Sequence, residues 1–263
     1  MMSHPRAGPA IQLDSLHLSF DGQSPVLDDV SLRVDEGEFV SLVGPSGCGK
    51  TTLLNLCAGL VSHEGPGQLQ VMGLPPRQGN PDVAYMLARD SLLPWRTALD
   101  NAAFGLEVRG VPKLQRLERA RTLLAEVGLA GQEQMLPKAL SHGMRQRTAL
   151  ARTFAMDAPL LLMDEPFGAL DAQTKLQLED LLLLLCHQHR HSVLFVTHDL
   201  AEAVAVSDRV VVMSSRPGRI VADVLIDLPR PRSIRELQKD PHFHELYALL
   251  WSHLESGWAR HEG

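Results

Sequence analysis

Cysteine is scarce in this chain. Only Cys48, Cys57 and Cys186 are present among 263 residues, and they form no spaced metal motif. A cysteine-built metal site is thereby excluded, and a reducing, cytoplasmic setting fits best. An excess of positive charge is also missing. The 25 basic residues face 31 acidic ones, a net charge of −6, which speaks against a nucleic-acid binder. There is no long hydrophobic run. The richest, Leu181 to Leu185, is bounded by Glu179-Asp180 and His187, whereas a membrane-spanning helix needs about 20 apolar residues. It reads instead as the buried face of an amphipathic helix from about Ala172 to Cys186. No internal repeat or low-complexity segment occurs. The first ten residues, MMSHPRAGPA, hold too short an apolar stretch for a signal peptide and read as a disordered leader. Any membrane role is expected to come through a partner.

What is present is a globular composition, 44% hydrophobic. The length suits one large α/β domain or a core with a smaller subdomain. The most informative run is GPSGCGKTT, from Gly44 to Thr52. It fits G-x-x-x-x-G-K-[ST], a loop whose backbone N–H groups cradle nucleotide phosphates. Phe39–Val43 before it has the composition of a buried strand, and Thr51 to Leu56 after it suits a helix start. Gly44, Gly47 and Gly49 let the backbone wrap close to an anion. Pro45, Ser46, Cys48 and Thr52 complete the loop. Lys50 is placed to neutralise phosphate charge, and Thr51 to hold Mg²⁺.

Ile11 to Ser19 alternates apolar and polar residues and reads as a strand, as does Val30 to Val34. These first strands are expected to form an antiparallel layer beside the nucleotide strand. Gly65 to Met72 and Val83 to Leu87 carry further strand signals. From Thr97 to Ala155 the pattern turns helical. Leu106, Leu114, Leu117, Ala120, Leu123, Leu124 and Val127 recur at three- and four-residue spacing, and Gly110 and Gly128 stand at helix stops. The core resumes with strands at Leu160–Met163, Ser192–Val196 and Arg209–Met213. The expected fold class is α/β, a P-loop NTPase core with an antiparallel β subdomain and an inserted helical subdomain. Its expected bounds are 11–232, with the helical part at about 88–158 and a C-terminal helical extension over 233–263.

Asp164 and Glu165 end the hydrophobic strand Leu160 to Met163. Asp164 is placed to bind Mg²⁺ facing the phosphate loop, and Glu165 to polarise an attacking water. Ser141 is a good N-cap for a helix beginning at His142-Gly143-Met144. Such a helix start is either an anion site or a simple capped helix.

Together these motifs resemble the ATP-binding subunit of ATP-binding cassette (ABC) transporters, over about Ile11 to Leu254. LSHGMRQR, from Leu140, is similar to the family signature LSGGQ. DEPFGALD, from Asp164 to Asp171, resembles its Walker B segment and D-loop, and Phe195 to Asp199 its switch-histidine loop. Phe20 stands where the family has an aromatic that stacks on adenine. The resemblance implies a head-to-tail homodimer that traps two ATP. Ser141, Gly143 and Met144 would face nucleotide bound by the second copy, and Asp171 would cross the interface. His198 would contact the γ-phosphate and hold the attacking geometry with Glu165. Closure and hydrolysis would drive a membrane permease from the cytoplasmic face of the inner membrane, served by a separate solute-binding protein.

A narrower resemblance rests on Leu92-Leu93-Pro94-Trp95-Arg96-Thr97, Ser215 to Ile220 and Pro229 to Arg232. These segments are similar to importers of nitrate, sulfonates, taurine and thiamine precursors. In that family the region after the first segment docks the permease's coupling helix. The alternative for Trp95 and its leucines is subdomain core.

Two departures stand out. Ala88 replaces the family's glutamine, which contacts Mg²⁺ and the attacking water, so basal hydrolysis is expected to be low unless Arg89 or Asp90 compensates. His142 and Met144 replace the usual glycine and glutamine of the signature, while Ser141 and Gly143 remain. His187, His189 and His191 make H-x-H-x-H, read as a solvated loop rather than a metal site. Cys48 reads as a small filler before a redox switch. Pro241 to Leu254 reads as an amphipathic helix that either packs on the body or contacts a second copy. Two other classes compete with the transporter: a soluble ABC ATPase of DNA repair or translation, and a P-loop kinase of small metabolites.

Overall fold

A computed structural model describes residues 8–259 except 21, 23, 89 and 169. The greater part of the leader expected at residues 1–10, and Arg89, lie outside the described residues.

Two sheets form the core. The smaller is antiparallel, with β1 (Ile11–Ser19) between β2 (Pro25–Val34) and β4 (Gln68–Val71). In β1 the buried residues are Ile11 and Leu13, then Leu16 and Leu18. The parity changes because the pairing shifts by one residue between Leu13↔Leu32 and Leu16↔Val30. Ser15, at φ 44°, takes up that bulge, which keeps both apolar pairs on one face. The second strand starts at Pro25, earlier than Val30.

The larger sheet has the order β5-β6-β7-β3-β8-β9. Its members are β3 (Phe39–Val43), β5 (Val83–Met86), β6 (Leu160–Asp164), β7 (Ser192–Val196), β8 (Arg209–Met213) and β9 (Ile220–Leu225). All pairings are parallel except β8 with β9. Strand β9 is not among those the sequence pattern predicts. Its sequence IVADVL is apolar except for Asp223, yet none of its residues is fully buried, because it is the antiparallel strand at the edge of the sheet. The central strand β3 is buried throughout and feeds two cores. Phe39 and Val43 pack on one side, Val40 and Leu42 on the other. The second side holds the antiparallel sheet and α1 (Lys50–Cys57). Each buried valine or leucine there contributes about 1.5–3 kcal/mol.

The first side carries the remaining helices. Between β5 and β6 run α2 (Ala98–Ala102), α3 (Phe104–Val108), α4 (Lys113–Glu126) and α5 (His142–Ala155). Gly110 and Gly128, at φ 74° and 78°, follow the ends of α3 and α4 as expected. Leu114 does not belong to the buried face; it is 78% exposed in the first turn of α4, while Ala120, Leu123 and Leu124 are buried.

After β6 come α6 (Ala172–His189), α7 (Leu200–Val206), α8 (Ile234–Leu237) and α9 (Pro241–Ala259). The first of these runs past Cys186 and includes His187 and His189. His191 is not in a solvated loop; it is buried, edge-on to Phe154 at 5.2 Å, and desolvation lowers its pKa. Along α9, Phe243, Leu246, Leu250 and Leu254 are buried, and the helix packs on α7, β8 and β9, whereas Leu249 stays exposed. Among the described residues no helix is long and apolar enough to cross a membrane.

Candidate active site

Strands β6, β7 and β3 lie side by side and parallel, so their C-terminal ends share one edge of the sheet. In open α/β sheets that edge is where ligands bind. Three loops leave it: the phosphate loop from β3, Glu165 to Asp171 from β6, and Thr197 to Asp199 from β7.

The phosphate loop is closely supported. Gly47 and Gly49 adopt φ 80° and 106°, a region that favours glycine. A Cβ on Gly44 would lie 2.8 Å from the Met213 carbonyl, and one on Gly49 would lie 2.7 Å from Leu27 Cδ2. Helix α1 has no side-chain cap, so the N–H groups of its first turn are available to an anion. Lys50 is buried, and its Nζ donates to the carbonyls of Gly44 at 2.7 Å and Pro45 at 2.9 Å. Ser46 and Gly47 are exposed at the tip; Pro45 and Thr52 are half-buried. Cys48 is wholly buried, and desolvation pushes its thiol pKa up. A thiol kept protonated and enclosed is a filler rather than a redox nucleophile.

Asp164 ends β6, and its Oδ1 accepts from the Thr51 hydroxyl at 3.1 Å. Burial raises its carboxyl pKa, with the neighbouring Glu165 adding to the effect, while Thr51 and Lys50 oppose it. Glu165 follows at φ 43°, a left-handed conformation costing about 1–3 kcal/mol in a non-glycine residue. Its N–H donates to the Val196 carbonyl at 2.9 Å, which fixes the turn over β7. Its Oε2 lies 3.3 Å from His198 Nδ1. The two candidate catalytic residues, distant in sequence, therefore meet at the sheet edge.

A buried polar cluster anchors the turn that carries His198. The Thr197 hydroxyl donates to Glu202, and Lys175 donates to Asp199 at 2.7 Å and lies 3.4 Å from Glu202. Glu179 sits 3.9 Å from the same ammonium. Its pKa is pushed up to about 8, first by desolvation and then by the Glu202 charge.

The signature residues stand apart from the phosphate loop. Ser141 is exposed, and its hydroxyl accepts from the Met144 N–H at 3.3 Å as the cap of α5. Gly143 lies against α6, where a Cβ would meet Thr174 Cγ2 at 2.8 Å. Asp171 caps α6 by accepting from Thr174 N–H at 3.0 Å, and that backbone contact lowers its pKa. Met144 is half-buried against the helical core. Among the described residues no hydrogen bond or ion pair joins this group to the phosphate loop. Phe20 is 66% exposed and lines a surface cavity with Pro25 and Leu27, the same Leu27 that packs on Gly49. Ala88 is an exposed methyl beyond the end of β5.

The ABC transporter family profile matches residues 27–168. An ABC transporter ATP-binding protein of Methanocaldococcus jannaschii is 48% identical over 206 residues, covering 78% of this chain and 77% of that protein. The taurine import ATP-binding protein TauB of Escherichia coli K12 is 42% identical over 237 residues, covering 89% and 92%. This chain belongs to the ABC transporter family. As an ABC transporter ATP-binding subunit, it binds and hydrolyses ATP and works with membrane permease subunits.

The support that Gly218 and Tyr85 give the site of this ABC subunit is not legible in the sequence. A Cβ on Gly218 would lie 2.1 Å from the Cys48 carbonyl, so the turn after β8 backs the phosphate loop. A glycine in Arg-Pro-Gly-Arg signals a turn but not what the turn touches. The Tyr85 hydroxyl donates to Asn55 at 3.1 Å beside the site, and only the β5–β6 pairing brings it there. The segment Leu92 to Thr97 is divided: Leu92 is core, whereas Trp95 is 72% exposed.

Proposed function

We propose that two copies of this chain bind head to tail and hydrolyse ATP at their shared interface, energising import of a small solute of the nitrate, sulfonate, taurine or thiamine-precursor type through a permease. The observation that carries this is the division of the site. Phosphate loop, Asp164, Glu165 and His198 share one sheet edge, while Ser141, Gly143, Met144 and Asp171 form a second group bonded elsewhere. A second copy would bring its signature group to the first copy's phosphate loop.

Each residue has a role in this reading. The loop from Gly44 to Thr52 wraps the phosphates, with Lys50 supplying the positive charge. Phe20 stacks on the base. Thr51 and Asp164 would hold Mg²⁺: two oxygen donors already 3.1 Å apart, one on a buried carboxyl, suit a small hard cation. When bound, Mg²⁺ neutralises charge developing on the phosphoryl oxygens. Glu165 orients and polarises the attacking water, and His198, 3.3 Å away, holds that geometry at the γ-phosphate. The Ser141 hydroxyl accepts from the Met144 N–H yet keeps its own proton to donate to a phosphate oxygen. Asp171, at the start of α6, faces the second copy.

The exposed Trp95 beside Pro94 suits a helix-in-groove contact with the permease. The likeness to a taurine import protein supports a sulfonate-type solute, delivered by a separate binding protein. The subunit would then sit peripherally on the inner membrane's cytoplasmic face. The test is capture of partners. The tagged chain, purified from gently solubilised native membranes, is expected to bring down a polytopic permease. A ribosomal, DNA-associated or purely soluble partner set would overturn the import reading and leave the ATPase chemistry intact.

A further inference from the structure

The stretch from Ala88 to Thr97 joins β5 to α2 and carries Trp95. At Ala88 it carries an exposed methyl and no polar side chain. Asp90 is engaged with the signature helix: its Oδ2 accepts from Arg145 Nε at 2.8 Å. The same guanidinium donates through Nη1 to the carbonyl of Leu140 at 3.0 Å, the residue just before the Ser141 cap. Two turns further along α5, Arg152 donates to the carbonyls of Asp90 at 2.7 Å and Ser91 at 2.8 Å. The other end of the stretch is tied to α2. Asn101, fully buried, accepts from Leu93 N–H at 2.7 Å and donates to the carbonyls of Leu93, Arg96 and Thr97 at 3.0–3.1 Å.

We propose that Arg145 and Asp90 form a positioning clamp. Through it, displacement of the 90–97 segment by a docked permease reaches the start of α5, and with it Ser141 and Gly143. This rests on the docking reading of Trp95. The fork of an arginine suits the task, because it fixes the direction of a carboxylate and a carbonyl at once. Both side chains are partly exposed, so the pair adds little to overall stability. Its value is geometric. Helix α2 packs directly on α5, so the segment and the signature helix belong to one packed unit. Among the described residues, Arg145 and Arg152 are the side chains of α5 that bond the 90–97 segment, and Arg145 is the one that also reaches the residue before Ser141.

The experiment compares wild type, Arg145→Ala, Asp90→Asn and the exchange Asp90→Arg/Arg145→Asp, each purified alone and with the captured permease. Three quantities are read: binding of a fluorescent ATP analogue to the chain alone, permease recovered per subunit, and ATPase of the complex. The single variants are expected to keep nucleotide affinity and permease recovery within about twofold. Their permease-stimulated kcat is expected to fall about tenfold, with KM for ATP little changed. The exchange is expected to restore the rate to within about threefold of wild type. Single variants that keep the stimulated rate overturn the clamp. So do variants that lose nucleotide binding or permease recovery together with the rate, which assigns the pair a merely structural role. A wild-type chain that captures no permease overturns the docking reading, and the clamp with it.

Discussion

The helix after the phosphate loop and the helix after the signature start in opposite ways. Helix α1 begins at a left-handed glycine with no side-chain cap, so its first-turn N–H groups are open to an anion. Helix α5 begins at Ser141, which caps it in the ordinary manner, and α6 beside it is capped by Asp171. One helix start is left incomplete and is held in place from outside, by Leu27, Met213 and Gly218. The other is a self-sufficient local structure. Binding sites are built from unfinished hydrogen bonding in a rigid frame. The finished signature turn can therefore contribute only as a surface presented to something else, which is why the second copy enters the proposed mechanism.

The comparison can be broken or sharpened by mutation. The largest effect is expected at Glu165→Gln: hydrolysis should fall by about 10²–10⁴-fold while nucleotide binding persists, measured by phosphate release against fluorescent-nucleotide titration. Retained hydrolysis would remove Glu165 from the chemistry. Ser141→Arg should lower hydrolysis at least about tenfold and abolish ATP-dependent dimers in light scattering, leaving ATP binding by the single chain unchanged. Loss of single-chain binding would break the division into two groups.

Gly218→Ala probes the external support. Its Cβ would collide with the Cys48 carbonyl. The expected outcome is a loss of about 1–3 kcal/mol in denaturant melts together with weaker ATP binding. Unchanged ATP affinity would mean the loop holds its shape unaided. Ala88→Gln should raise the ATPase rate of the assembled transporter several-fold; an unchanged rate refutes the idea that alanine there holds hydrolysis down.

The smallest effect concerns pH. Glu179 has a folded pKa of about 8, above its unfolded value, so the native state binds the extra proton between the two. Stability therefore falls as pH rises through that window and levels off above it. Glu202 is shifted upward as well, with the same sign. His191, lowered by burial, acts oppositely, but below its unfolded value near 6.5. Thermal melts of wild type should drop between pH 7 and 8.5, and Glu179→Gln should flatten that slope. Equal slopes would exclude Glu179 as its source.

Much of this was legible in the chain. Strands β1, β3, β7 and β8 fall on the residues their apolar patterns indicate, because buried strands need apolar side chains at fixed intervals. The phosphate loop was legible because its glycines and lysine are close neighbours in sequence. Leu114 misled, since a leucine in the first turn of α4 satisfies the periodicity while pointing to solvent. His191 misled in the other direction, because a polar residue beside a helix end reads as loop until Phe154 is found against it. Edge strand β9 is apolar but for Asp223, and only the tertiary pairing with β8 shows it to be a strand rather than part of the preceding turn.

The sequence by itself determined the chemistry available: a phosphate-binding loop, paired carboxylates at a strand end, a histidine and a signature turn, in an order that identified the family. These are local patterns, set by bonds between near neighbours. Only the tertiary structure decided which of them meet. The parallel order β6-β7-β3 brings Glu165 to His198 and Asp164 to Thr51. The turn at Gly218 braces the loop from behind. Arg145 reaches Asp90 across 55 residues of chain. Such contacts depend on how sheets and helices pack, and packing joins residues whose separation in sequence carries no signal of their nearness in space.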